Sequence, residues 1–241
     1  MALKHLAIIM DGNRRWARQH ALKVLAGHDH GAQNLKSIAS SVAEHGIKNL
    51  TVFAFSSENW KRSQAEISSL LGLMRDFLQN DVQRLIDDDI RLFIIGDRTA
   101  FDQSLQNAFA KAEQQTAGCT RMTLTIAINY GGRQDILMAA QSAIEKFRHK
   151  GRIKQHEFEM GLNTCQLPDV DLLIRTGGEK RLSNFMLWEM SYAELYFTDI
   201  LWPDFTIQHL SVAIKDYYSR NRRYGGDNIG ENDTAETIIR A

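Results

Sequence analysis

The sequence predicts one α/β domain built on a mostly parallel sheet flanked by helices. Two observations carry this. Short apolar runs at 6–10, 50–55, 90–95, 122–128, 170–174 and, less cleanly, 195–201 alternate with longer amphipathic stretches. The runs are continuous in Val, Ile and Leu, as strands buried on both faces require, and β-α alternation of this kind builds parallel sheets. No linker, repeat or low-complexity block divides the chain, and 241 residues suffice for one domain with a substantial core.

The first run ends abruptly in Asp11-Gly12-Asn13, and a helix-compatible stretch through Arg14, Arg15, Trp16 and Ala17 follows. Ligands of open α/β sheets sit beyond the carboxyl ends of the strands. A glycine there lets backbone approach a ligand, and free amides at a helix start attract anions. Asp11 therefore reads either as a cap or as an acid at the mouth of an anion site, where a metal bridges to phosphate. Helical patterns follow over 31–46, 64–88, 99–116, 132–149 and 206–220. In 64–88, Ile67, Leu70, Leu71, Met74, Phe77, Leu78, Val82 and Leu85 recur at three- and four-residue spacing. That wide stripe suits packing against the sheet or one wall of an apolar cavity.

Later strand ends repeat the chemistry of the first. The second run ends in Ser56-Ser57-Glu58-Asn59-Trp60-Lys61-Arg62, the third in Gly96-Asp97-Arg98, and the fourth in Asn129-Tyr130-Gly131-Gly132-Arg133. The fifth ends in Arg175-Thr176-Gly177-Gly178-Glu179-Lys180-Arg181-Leu182-Ser183. Turn chemistry accounts for any one of these and poorly for all together. Two guanidinium forks and a hydroxyl around a Gly-Gly turn suit a diphosphate. Neither phosphate-loop nor dinucleotide fingerprints are present, so nucleotide binding has no support. His28, in Ala26-Gly27-His28, is a candidate proton carrier or phosphate donor, and Glu194 a candidate second acid for a metal. Asp87-Asp88-Asp89 reads as a solvated helix end, and the polar, glycine-rich stretch after Tyr224 as a flexible tail.

Bulk properties narrow the class. Lys+Arg and Asp+Glu are both 29, so no overall charge argues for nucleic acid. Cys119 and Cys165 lack metal-ligand spacing, which predicts a reduced, cytoplasmic setting. No signal peptide precedes the first run, and every apolar run is shorter than a membrane span needs. A soluble protein is expected, one that can still touch a membrane surface.

Residues 5–17, Gly27-His28, 53–62, 92–97, 129–133, 171–185, 192–205 and 220–226 resemble the cis-prenyltransferases, most closely the bacterial undecaprenyl diphosphate synthases. The Met-Asp-Gly-Asn and Arg-Thr-Gly-Gly-Glu blocks in this order are highly specific. The resemblance implies a catalytic domain over 1–226, followed by the tail at 227–241. It also implies a homodimer, a six-stranded parallel sheet and an elongated hydrophobic tunnel. The reaction implied is successive addition of isopentenyl diphosphate to an allylic diphosphate such as farnesyl diphosphate, with cis double bonds and magnesium. A long product such as undecaprenyl diphosphate, a lipid carrier precursor for cell-wall synthesis, would bring the enzyme to the inner face of the membrane.

By position, the resemblance makes Asp11 the metal-associated aspartate and gives Gly12, Asn13 and Arg15, with Arg14, Trp16 and His28, to the allylic diphosphate. Ser56, Asn59, Trp60 and Arg62, with Ser57 and Glu58, belong to the segment that closes over the substrates, Asn59 on the catalytic side. Arg175, Arg181 and Ser183 form the isopentenyl diphosphate pocket, and Glu194 joins that pocket and its metal. Met122 falls at the tunnel floor. The proton acceptor is Asp11, a group of the Ser56/Asn59 segment or the substrate's own diphosphate. Three positions depart from the family pattern: Arg14 replaces a glycine, Val24 an arginine to the allylic diphosphate for which Lys23 or Arg14 is the candidate substitute, and Ser63 a proline. A catalytically silent family member would lack Asp11 or the arginines, and a phosphohydrolase would need clustered acids at the strand ends.

Overall fold

The computed structural model describes residues 2–220. Its elements are β1 (His5–Ile9), α1 (Asn13–Gln19), α2 (Val24–Glu44), β2 (Asn49–Ser56), α3 (Gln64–Asn80), α4 (Val82–Asp87) and β3 (Ile90–Ile95). They continue with α5 (Gln103–Gln115), β4 (Met122–Tyr130), α6 (Gly132–Phe147), α7 (Gln155–Glu159), β5 (Leu172–Arg175), β6 (Glu194–Phe197) and α8 (Ile207–Ser219). One six-stranded sheet has the order β3-β4-β2-β1-β5-β6, and all neighbouring pairs are parallel.

Burial follows the pleat. Leu6 and Ile8 of β1, with Leu172 and Ile174 of β5, enter one core beneath α2, α3, α5 and α8. Ala7, Ile9 and Leu173 point the other way, into a second core with Phe185, Met186 and Met190. Side chains alternate across a strand, so burial on both faces demands unbroken apolar runs. The sheet grows from β1 in both directions, with β2 on one side and β5 on the other. Beyond the carboxyl end of β1 lies the crevice where such sheets hold ligands.

Several element boundaries differ from the sequence reading. The second helix begins at Val24, well before 31, because Lys23 is extended and Gly27 lies inside the helix against α1. The 64–88 stripe is two helices, divided at Asp81, which holds Nζ of Lys36 at 2.7 Å. Asp88 and Asp89 are structural ties: Asp88 accepts from Ser40, and Asp89 accepts from the Thr120 amide at 2.8 Å. The tail at 227–241 lies outside the described residues. Among those described, no helix is long and apolar enough to cross a membrane.

Candidate active site

Asp11 follows β1 and is the hub of the crevice. Ile9 is in register with Arg175, the last residue of β5, and this pairing sets Arg175 beside Asp11. Nη2 of Arg175 reaches Oδ2 of Asp11 at 3.0 Å, and Nη2 of Arg15 lies 3.2 Å from Oδ1. The Arg175 side chain is 4% exposed, whereas that of Asp11 is 30% exposed. The arginine is thus a fixed part of the floor, and the carboxylate remains open to a ligand. The hydroxyl of Thr176 donates to the Asp11 carbonyl at 2.7 Å, and the Trp202 amide donates to the same oxygen at 3.0 Å. Gly12 adopts φ +118°, and a Cβ there would lie 2.9 Å from Cα of Leu201. Only glycine takes this turn without strain.

Two polar compartments adjoin Asp11. One, about 290 Å³, is framed by Gly12, Asn13, Arg14, Arg15, Arg18, His28 and Arg62. The other, about 650 Å³, reaches across to Arg175, Arg181, Ser183 and Asn184, with Ser56, Glu58 and Asn59 along its rim. An apolar cavity of about 120 Å³ meets both at Met10, Asn13 and His28, borders the larger one also at Ala54 and Leu70, and continues between α2, α3 and the sheet. Its inner walls include Leu35, Leu73, Met74, Phe77 and Ile126. Ala54 reaches this junction because β2 is irregular there: Phe53 pairs with Ala127 but Phe55 with Ile128.

Glu66, in the first turn of α3, organises the first compartment from outside. Its Oε1 lies 3.0 Å from Nη1 of Arg62, 3.4 Å from Nε2 of His28 and 3.7 Å from Nε of Arg14. Burial, helped by the Arg62 charge, lowers the His28 pKa, with Glu66 pulling the other way. Ser63 caps α3 by accepting from the Glu66 amide. Across the crevice, Nη1 of Arg175 donates to Oγ of Ser183 at 2.8 Å, and Arg181 pairs with Glu179.

A basic, glycine-lined crevice split by one carboxylate, with an apolar channel at the junction, is a site for diphosphates that carry hydrocarbon tails. Residues 9–225 match the prenyltransferase family model described as "Putative undecaprenyl diphosphate synthase". The chain belongs to this family. The isoprenyl transferase of Neisseria meningitidis serogroup B is 46% identical over 222 residues, which span 92% of this chain and 89% of that protein. The "Ditrans,polycis-undecaprenyl-diphosphate synthase ((2E,6E)-farnesyl-diphosphate specific)" of Vibrio cholerae is 44% identical over 226 residues, 92% of this chain and 90% of that one. Among solved structures, the lavandulyl diphosphate synthase of Lavandula x intermedia, in complex with dimethylallyl diphosphate, superposes with TM-score 0.88 at 39% identity. That match covers 92% of this chain and 98% of that one.

Within this prenyltransferase, Asp11, Gly12, Asn13, Arg14, Arg15, His28 and Arg62 gather around the smaller compartment. Ser56, Glu58, Asn59, Arg175, Arg181 and Ser183 line the larger one. Arg14, in place of the family's glycine, enters the anion compartment rather than pointing away from it. Trp16 does not reach the compartments: it is buried, donates to Asp204 at 2.8 Å and stacks on His20. Trp60 donates to Asn129 at 2.8 Å and packs on Phe55, outside the lining. Ser57 sits against Gly131, behind the rim. The Asn59 side chain accepts from the Ser56 amide at 3.1 Å, which makes it a loop brace.

Glu194 is a correction. It pairs with Leu172 at the opposite end of β6 from the crevice, whereas Asp11 lies beyond the level of Arg175. The three-residue offset between the Leu172 and Arg175 levels is about 10 Å at ~3.3 Å per residue, before the width of β5 between β6 and β1 is added. The two acids therefore cannot share an ion within one chain, and Nη1 of Arg220 lies 2.8 Å from Glu194. Met122 is buried at the start of β4, and the cavity ends short of it at Ile126. Asn184 closes the polar stretch at the fifth strand end, whereas Arg18 and Glu66 carry no such signal in the sequence. Arg18 follows Arg14 by four residues and Glu66 follows Arg62 by four, a one-turn helical spacing that was the only local signal for either.

Proposed function

We propose that this protein is a cis-prenyltransferase. It condenses isopentenyl diphosphate repeatedly with an allylic diphosphate, farnesyl diphosphate in the first instance, to give a long polyprenyl diphosphate such as undecaprenyl diphosphate. The observation that carries the reading is the junction itself. Two anion compartments flank Asp11, and an apolar cavity meets both at Met10, Asn13 and His28 and opens into the larger one at Ala54 and Leu70. Hydrocarbon and diphosphate are thereby separated while two reacting carbons are brought together, which is the entropic part of catalysis.

The allylic diphosphate takes the compartment of Gly12–Arg15 and Arg62, with its tail in the apolar cavity. Isopentenyl diphosphate takes the compartment of Arg175, Arg181 and Ser183. The carbon–oxygen bond of the allylic substrate breaks and its electron pair leaves with diphosphate. The alkene of isopentenyl diphosphate forms the new carbon–carbon bond, and a proton is then lost to restore a double bond. The buried Arg175 and its neighbours are preorganised against developing phosphate charge. Met10, Ala54 and Leu70 exclude water from the cationic carbons. His28, held neutral by burial, donates or accepts a hydrogen bond without adding charge. Asp11, a group of the Ser56/Asn59 segment and the departed diphosphate are the candidate acceptors.

Magnesium belongs to the reading. Among the described residues, no three His, Cys, Asp or Glu side chains cluster as a protein-only metal site. A single open carboxylate between two phosphate compartments suits Mg²⁺, which is commonly held by one or two carboxylates together with substrate phosphates. Asp11 would hold it, and the ion would neutralise diphosphate charge. A homodimer is also proposed, supported by Leu137 and Ile144 on α6 and Met160 after α7, all more than half exposed. The catalytic domain spans 1–226, in the cytoplasm, with membrane contact for release of the apolar product.

Incubation with farnesyl or dimethylallyl diphosphate, labelled isopentenyl diphosphate, magnesium and detergent tests the assignment, with products resolved by chain length. Elongated products from farnesyl diphosphate are expected. Folded protein that yields none under these conditions would refute it.

A further inference from the structure

Four guanidinium groups face the smaller compartment, those of Arg14, Arg15, Arg18 and Arg62. Three have a carboxylate close by: Arg15 lies 3.2 Å from Asp11, and Arg62 and Arg14 lie 3.0 and 3.7 Å from Glu66. Arg18 differs. Among the described residues, no carboxylate lies within ion-pair distance of it, although it borders the same space. An unneutralised guanidinium at the rim of an anion compartment is free to bind a ligand without first breaking an internal pair. Such forks bind phosphate oxygens two at a time.

Val24 and Lys23 are unsuited to this task, and Arg14 already has Glu66 at 3.7 Å. Val24 opens α2 just beyond the turn that follows α1, and its side chain is apolar. Lys23 is exposed and does not line the compartment. The turn is tied down: the Ala21 amide donates to the Arg18 carbonyl at 3.1 Å, and the Leu22 amide to the Ala17 carbonyl at 2.8 Å. Arg18 is thus presented from a fixed helix end, one turn beyond Arg14 and Arg15.

Building on the functional reading above, we propose that Arg18 binds the outer phosphate of the allylic diphosphate, supplying the cation that Val24 cannot. The competing role is structural, a basic side chain in the last turn of α1 that favours the helix end. The two roles predict different measurements.

Arg18→Gln, Arg18→Lys and Arg18→Gln/Val24→Arg should be compared with the unaltered chain. The readouts are the KM of each substrate and direct calorimetric binding of an unreactive thio-analogue of farnesyl diphosphate. Loss of one charge-assisted phosphate contact should weaken allylic binding about ten- to a hundredfold. The KM for isopentenyl diphosphate and the melting temperature should stay essentially unchanged. Arg18→Lys, which keeps the charge but loses the fork, should give an affinity between those of Arg18→Gln and the unaltered chain, and Val24→Arg should restore much of it in the Arg18→Gln background. Unchanged analogue affinity in Arg18→Gln would overturn the inference, as would an equal loss for both substrates. If the unaltered protein bound no allylic analogue, the functional reading would fall first, and this inference with it.

Discussion

Nη2 of Arg175 and Oδ2 of Asp11 lie 3.0 Å apart although 164 residues separate them. The arginine is the more buried partner, so the pair does two jobs: it compensates a charge in the floor, and it aims a carboxylate into the crevice. Asp11→Asn should lower turnover about a hundred- to a thousandfold, the scale of losing one preorganised electrostatic group. The stability cost should fall between that of an exposed and a buried pair, about 1–3 kcal/mol. Steady-state kinetics alongside denaturant unfolding separates the two effects, and near-normal turnover would remove Asp11 from the chemistry.

His5 and His28 are both held below the ordinary histidine value of 6.5 by burial. Nδ1 of His5 lies 2.7 Å from the Pro168 carbonyl, and Nε2 lies 2.8 Å from the Thr51 hydroxyl, an arrangement that suits the neutral ring. The unfolded chain therefore binds protons that the folded chain refuses. Their contribution to stability is complete above pH 6.5 and lost as pH falls towards the folded values. The slope approaches ~1.4 kcal/mol per pH unit for each histidine. Urea unfolding between pH 7.5 and 5 should show this decline. His5→Gln, far from the crevice, should flatten it, and an unchanged slope in that variant would reject the assignment.

Ala54 stands where the larger polar compartment meets the apolar cavity. Ala54→Leu places a larger side chain in the path of the growing hydrocarbon. Products should shift to shorter chains, with the KM for isopentenyl diphosphate little changed. Thin-layer or mass analysis of the products decides this, and an unaltered length distribution would show that the chain takes another route.

Gly27 lets α2 lie directly on α1: a Cβ there would stand 2.1 Å from the Asn13 carbonyl oxygen. Alanine normally favours a helix over glycine by ~1 kcal/mol. Here backbone meets backbone, and α1 must move, at the ~1–3 kcal/mol typical of overpacking. Gly27→Ala should therefore lower the melting temperature and weaken allylic diphosphate binding at least tenfold, because Asn13 and Arg15 move with α1. A stabilised variant with normal binding would contradict the close contact.

The strands and most helices were legible because burial on both faces leaves an unbroken apolar run, and one-face burial leaves a 3.6-residue stripe. Asp81 was invisible as a break in the 64–88 stripe, since its Lys36 partner is distant in sequence. The short helix Gln155–Glu159 was missed because so few residues carry too little periodicity. Within the site, Asp11, Arg175 and Ser183 were readable from turns rich in glycine and arginine at strand ends. Trp16, in the same motif as Asp11, could not be assigned from position. On α1 its side chain turns towards Asp204 and away from the crevice.

The sequence by itself determined the parallel α/β class, the family and the polar edge of the sheet, because these follow from local patterning and from motifs of fixed spacing. The tertiary structure alone decided that β5 lies beside β1, which joins Arg175 to Asp11. It also decided that Glu194 stands at the far end of β6, and that Arg18 faces the compartment with no carboxylate beside it. Strand order and side-chain direction are settled by long-range packing, and no local stretch of residues encodes them.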